Sequence, residues 1–155
     1  MASGCGRVSQ LFVAVAPRQP MREMQQVLAV ANKGFQSCIH GKHGSPRQVL
    51  LVDTETLAEF GLAPGVVKEN VTTEGLGIGT LNPGEQLRIG EALLEVTGSC
   101  EPCHRMDEIR MGLQRELEGR RGILCRVIKG GTVCRGDAIE LLESGVWNKL
   151  NGGKA

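Results

Sequence analysis

Apolar and polar positions alternate with a period of two along much of this chain, and glycine or proline interrupts each run before it grows long. Half-buried β-strands have this period, because successive side chains point to opposite faces. Arg7 to Ala16 reads as a first strand, broken by the Pro17 to Pro20 segment. Leu93, Glu95 and Thr97 alternate with Ala92, Leu94 and Val96 in another, which Gly98 ends. Further strands are expected at Val49 to Val52, Val66 to Thr73, Gln86 to Ile89 and Asp137 to Leu142. Ile123 to Ile128 and Thr132 to Cys134 flank Gly130-Gly131, a pair suited to a two-residue type I′ hairpin turn. That register sets Cys134 opposite Val127, leaves Cys125 only a diagonal neighbour, and argues for core packing over a disulfide.

Helical spacing is rarer. Asp53 is placed to start a short helix over Thr54 to Phe60. One longer helix is predicted past Met106, where Ile109, Leu113 and Leu117 join Met106 and Met111 on an apolar face, with Glu108, Arg110, Arg115 and Glu116 outside. Met21, Met24, Val27, Leu28 and Ala31 fit a helix capped by Gly34, but Val27 to Val30 fits a strand equally well. Cys38 to Arg47 is a loop rich in glycine, histidine and basic residues, and glycines 75, 77 and 79 mark another. The expected fold class is mainly β with short helices.

Length supports one domain, since 155 residues can bury a core unaided; residues 1–155 are taken as that domain, with 144–155 as a C-terminal tail. Glycine, 22 of 155 residues, is roughly twice its usual share and agrees with many turns between short strands. A formal charge of +1 sets up no global attraction to nucleic acid or acidic membrane, and 3% aromatic residues with no tyrosine remove the stacking platforms of single-strand binders. No nucleic-acid partner is expected. Arg7 followed by Leu11 to Ala16 faintly imitates a signal peptide, yet the run is short, and no segment has the apolar length of a membrane span. A soluble, cytoplasmic protein with its six cysteines reduced is the expectation.

Chemistry concentrates in Ala92 to Asp107, where Cys100 and Cys103 leave the end of a strand. Strand-to-helix connections lie at the surface and often hold reactive groups. His104 and Arg105 beside Cys103 are the type of neighbour that favours a thiolate, which makes Cys103 the candidate nucleophile or ligand.

In order along the chain, Gly41-Lys42-His43, Arg47-Gln48-Val49 leading to Asp53, Glu69-Asn70-Val71-Thr72, Leu87 to Gly90, Pro102-Cys103, Arg121-Gly122-Ile123 and Gly130-Gly131 to Asp137 form a set of blocks. This pattern, over about Arg7 to Glu143, resembles the MOSC domain, found at the C-terminus of molybdenum cofactor sulfurases and as free-standing proteins. The resemblance implies a barrel-like β domain that binds the molybdenum cofactor (a molybdenum-pterin) or a related sulfur-bearing ligand. It also implies that Cys103 carries sulfur as a persulfide or ligates molybdenum. Softer metals favour thiolates, so the chemistry is consistent. The cofactor is an anionic pterin phosphate, for which Lys42, His43 and Arg47 could supply charge and donors, with Asn70, Thr72 and Arg121 as further contacts. Asn70 and Thr72 serve equally well as turn and strand hydrogen-bonders. The chain has no room for a pyridoxal-phosphate domain, so the expected partners are a separate cysteine desulfurase as sulfur donor and molybdenum-cofactor proteins. Cys100 departs from the family pattern, and the second thiol could make a redox-sensitive pair.

The same residues allow other readings. Cys100 and Cys103 with two of Cys38, His40 and His43 would complete a tetrahedral zinc site in a structural or interaction module. Cys-x-Pro-Cys also suits a dithiol redox protein, although the later cis-proline of thioredoxin-like folds has no counterpart after Pro102. Cys-x-x-Cys-His fits haem c attachment, which requires export.

Overall fold

The computed structural model describes residues 5–142. The tail assigned to 144–155 lies outside them. Eleven strands are present: β1 (Cys5–Val13), β2 (Arg22–Met24), β3 (Gln26–Val30), β4 (Gly34–Phe35), β5 (Val49–Asp53), β6 (Val71–Glu74), β7 (Gln86–Ile89), β8 (Ala92–Ser99), β9 (Ile123–Lys129), β10 (Gly131–Cys134) and β11 (Ala138–Leu141). Three short helices accompany them, α1 (Thr54–Glu59), α2 (Met106–Ile109) and α3 (Leu113–Glu116). Seven strands run in the order β11-β7-β8-β9-β5-β6-β1, and pairing of β1 with β11 closes them into a barrel. β2 extends the free part of β1, and β10-β3-β4 form a separate small sheet. The β5–β6 pair is parallel. Parallel neighbours need a crossover, and α1 lies on it.

Alternation explains the barrel interior. Leu94 and Val96 of β8, Val49 and Leu51 of β5, and Cys125 and Val127 of β9 point into one apolar cluster with Leu11, Val71, Leu87 and Ile139. β5 reads as a continuous apolar run because its other face is covered too. Leu50 and Val52, with Leu124 of β9, pack against Leu57, Met106, Leu113 and Leu117 in a second cluster outside the barrel. Each such side chain contributes about 1.5–3 kcal/mol on full burial. The helices after Cys103 therefore form a cap held on β5 and β9.

Three expectations are corrected. The single helix past Met106 is two helices, because Gly112 adopts a left-handed φ of 87° and Arg110 is extended. Arg110 donates to the Phe60 carbonyl and to Glu116, both at 2.6 Å. Asp107 accepts from the Gln114 backbone N–H at 2.9 Å, which ties the second helix to the first. Met111 falls in the break and is 91% exposed, instead of lying on an apolar face. The hairpin at Gly130-Gly131 also does not form. One edge of β9 pairs with β8, and the other meets β5 at Ile123 to Cys125 and the Gln48 side chain and Asn32 N–H at Val127, so β10 pairs with β3 and sets Cys134 opposite Gln26. Cys125 is fully buried inside the barrel, where burial pushes its thiol far up, and both cysteines are free. The undecided segment after Pro20 is strand, as β2 and β3, and the stretch from Val66 to Lys68 is turn, so β6 begins only at Val71.

Gly122, at the start of β9, has φ 127°, and a Cβ there would lie 2.5 Å from the Leu51 carbonyl oxygen. Gly122→Ala is expected to lower stability by about 3 kcal/mol, read as a shift of the urea midpoint. Wild-type stability would contradict this packing.

Candidate functional site

A cleft of about 480 Å³ opens between the Cys38–Arg47 loop, the turn before β6 and the strand ends that carry Cys100 and Arg121. Loop anchoring comes first. Cys38 is buried, and its Sγ accepts from the Ala14 N–H and from Asn70 Nδ2, each at 3.4 Å. The buried Gln48 side chain accepts from the Val127 N–H at 2.9 Å and donates to the Lys42 carbonyl at 3.3 Å. These bonds fix a basic loop to the barrel wall.

The cleft wall then acquires its charge. Lys42, Arg47, Lys68 and Arg121 line it together with His40 and Ser45, and no carboxylate does so among the described residues. His40 is held below its ordinary pKa by partial burial and by Lys68, so it is neutral at pH 7. Arg121 is 7% exposed. Its Nη2 donates to the Val67 carbonyl, while Nε and Nη1 have no partner among the described residues. Burial pulls its pKa down, and Cys100, Glu69 and Cys103 lie close enough to pull it back up. A buried guanidinium with unused donors beside a carboxylate-free basic cleft has the charge and hydrogen-bonding capacity that suit an anion.

Glu69 lies behind this wall, fully buried. One carboxylate oxygen accepts from the Gly65 N–H at 2.8 Å and the Thr72 hydroxyl at 2.9 Å, and the other has no partner among the described residues. Burial raises its pKa against those hydrogen bonds and the Arg121 charge.

Of the residues singled out from sequence, Arg47, Asn70, Arg121 and Cys100 meet at the cleft. Asn70 spends its side chain on the Leu50 N–H, the Phe12 carbonyl and Cys38, so it builds the wall more than it offers donors. Thr72 is buried against Glu69, and exposed His43 does not line the cleft. Cys103 is exposed on the loop that follows and does not line the cleft, whereas the buried Cys100 does. Among the described residues no three His, Cys, Asp or Glu side chains converge to hold a metal. Of the ligands the zinc alternative drew on, Cys38 is occupied inside the core and does not join Cys100 and Cys103. Sequence reasoning missed Lys68 and the buried Glu69. Their place beside Asn70 was the available signal.

Residues 39–140 match the family model described as MOSC domain, and the chain belongs to that family, which is associated with the molybdenum cofactor. The fold agrees with solved structures. The YuaD protein from Bacillus subtilis superposes with a TM-score of 0.79 at 20% identity, covering 91% of this chain and 98% of that one. YiiM from Geobacillus stearothermophilus gives 0.74 at 18% identity over 91% of this chain and 77% of that one, and YiiM from Escherichia coli 0.68 at 20% over 88% and 70%. A protein named Reductase from Gibberella moniliformis is 34% identical over 95 residues, 56% of this chain. The chain spans 17% of that relative's length. Among the described residues no helix is long and apolar enough to cross a membrane.

The raised pKa of Glu69 has a pH signature. Its protonated form is favoured in the fold, so its contribution is present below the unfolded value of about 4.5 and is lost as pH rises through the higher folded value. Glu69→Gln should gain in melting temperature relative to wild type across that rise. A constant difference between the two proteins from pH 4 to pH 8 would remove the buried, raised carboxylate from the account.

Proposed function

We propose that this domain holds the anionic molybdenum cofactor in the basic cleft and carries sulfur for it as a persulfide on Cys103. The observation that carries the reading is the buried Arg121, whose Nε and Nη1 have no partner among the described residues and which lines a cleft with three further cations and no carboxylate. The residues present fit such a group. An anionic phosphate suits Arg121, Arg47, Lys42 and Lys68, and the neutral His40 and Ser45 can hydrogen-bond a polar ring system. When bound, the cofactor supplies a molybdenum centre able to take a sulfur ligand, and soft thiol sulfur lies on the adjoining wall.

Cys103 suits the carrier role because it is exposed, within reach of a separate protein, on a loop pinned by its own carbonyl, which accepts from the Met106 N–H at 2.9 Å. Loading takes the outer sulfur of a donor persulfide. The Cys103 sulfur bonds to it, the donor's sulfur–sulfur bond breaks, and the donor thiolate leaves with no net oxidation. The donor is a separate cysteine desulfurase, the acceptors are molybdenum-cofactor proteins, and the exchange takes place in the reducing cytoplasm.

Two measurements test this. Equilibrium dialysis should show cofactor binding weakened about tenfold or more by Arg121→Gln, the loss of a charge-assisted hydrogen-bond donor. Sulfur taken up from a cysteine desulfurase, counted as cyanide-releasable sulfur plus released sulfide, should approach one equivalent in wild type and vanish in Cys103→Ala. Equal binding by Arg121→Gln defeats the cleft assignment, and equal sulfur on Cys103→Ala defeats the carrier.

A further inference from the structure

Cys100 packs in the outer apolar cluster and also borders open space. It is 6% exposed at the end of β8, its backbone N–H donates to the Gly122 carbonyl at 2.9 Å, and it lines both the basic cleft and a second cavity of about 720 Å³. That second cavity is walled by Glu101 and Pro102, the two residues that lead to Cys103, and by the exposed Met111. Both thiols lie close enough to Arg121 to act on its charge, Cys100 the more strongly. The buried guanidinium of Arg121, with Nε and Nη1 lacking a partner among the described residues, lines the same cleft as Cys100. Cys103 is thus exposed on a loop, and three residues earlier Cys100 is buried at the wall of the basic cleft.

We infer that Cys100 is the resolving thiol for Cys103, which discharges the Cys103 persulfide and releases its sulfur as hydrosulfide. The inference rests on the carrier reading of Cys103. The Cys100 thiolate attacks the Cys103 sulfur, a Cys100–Cys103 disulfide forms, and the bond from Cys103 to the outer sulfur breaks. The electron pair leaves on the outer sulfur as hydrosulfide, and the Cys100 proton passes to solvent. One sulfur is reduced and Cys100 is oxidised, so the step needs no outside oxidant. A small thiol reductant, acting as two equivalents, restores the dithiol for the next round. The leaving hydrosulfide departs opposite the attacking Cys100 sulfur, on the side where Cys103 is exposed to solvent. The spacing Cys-x-Pro-Cys is short enough for the bridge, and the loop is free of regular structure between the two residues.

The full chain, reduced and then charged with sodium tetrasulfide, gives the test. Wild type should release sulfide and yield the peptide holding both cysteines at the mass of an internal disulfide. Cys100→Ser should keep the added sulfur on Cys103 and release sulfide roughly tenfold more slowly or less. Disulfide mapping of wild type needs no substitution, so a folding defect in the variant does not blunt the result. A stable Cys103 persulfide in wild type, or equal sulfide release from Cys100→Ser, overturns the inference and leaves the carrier intact. Absence of added sulfur on Cys103 in both proteins, with no disulfide in wild type, overturns the carrier and this inference together.

Discussion

The guanidinium of Arg121 is the constraint around which the rest is arranged. Burying a cation costs several kcal/mol unless it is paired and hydrogen-bonded, and here one nitrogen reaches the Val67 carbonyl while two remain unpartnered. The neighbouring carboxylate, Glu69, is turned toward Gly65 and Thr72 instead. A fold tolerates such an arrangement when the cost is recovered on binding, because a ligand anion then meets donors already in place. Lys42, Arg47 and Lys68 add to that field, and their loops are fixed by neutral bonds from Gln48, Cys38 and Asn70.

The barrel makes this possible through two strands with work on both faces. β5 and β9 send Val49, Leu51, Cys125 and Val127 inward, and Leu50, Val52 and Leu124 outward under the cap of α2 and α3. Leu50 and Leu124 also line the cleft, so the cap, the cleft floor and the barrel share the same side chains. Gly122 lets β9 approach β5 closely just where Arg121 must enter the wall. Placement of the thiols follows from the same geometry. β8 ends beside β9, which leaves Cys100 at the wall, and the loop after it carries Cys103 out to solvent.

Much of this was legible in the chain because period two survives burial. β8, read from its alternation, and β5, read from its apolar run, stand within a residue or two of their expected ranges, as do β7 and β11. Where sequence reasoning failed, a distant partner decided the outcome. Nothing local in Gly130-Gly131 says that β9 already has neighbours on both edges, and nothing local in Met111 says that Arg110 will turn away to the Phe60 carbonyl. The site divides in the same manner. Arg47, Arg121 and the cysteine pair could be picked out as residue types, whereas the convergence of Lys68 and His40 depends on loops separated by the whole of β5 and α1. His43 and Thr72 fitted the chemistry but face elsewhere.

The claim beneath all of this is that the free donors of Arg121 await an anion. Following the Arg121 Nε–H resonance in nitrogen-labelled protein while the cofactor is titrated reads that claim directly. A saturable shift with slowed solvent exchange at this one guanidinium is predicted. A resonance that stays unchanged while the cofactor binds would contradict it.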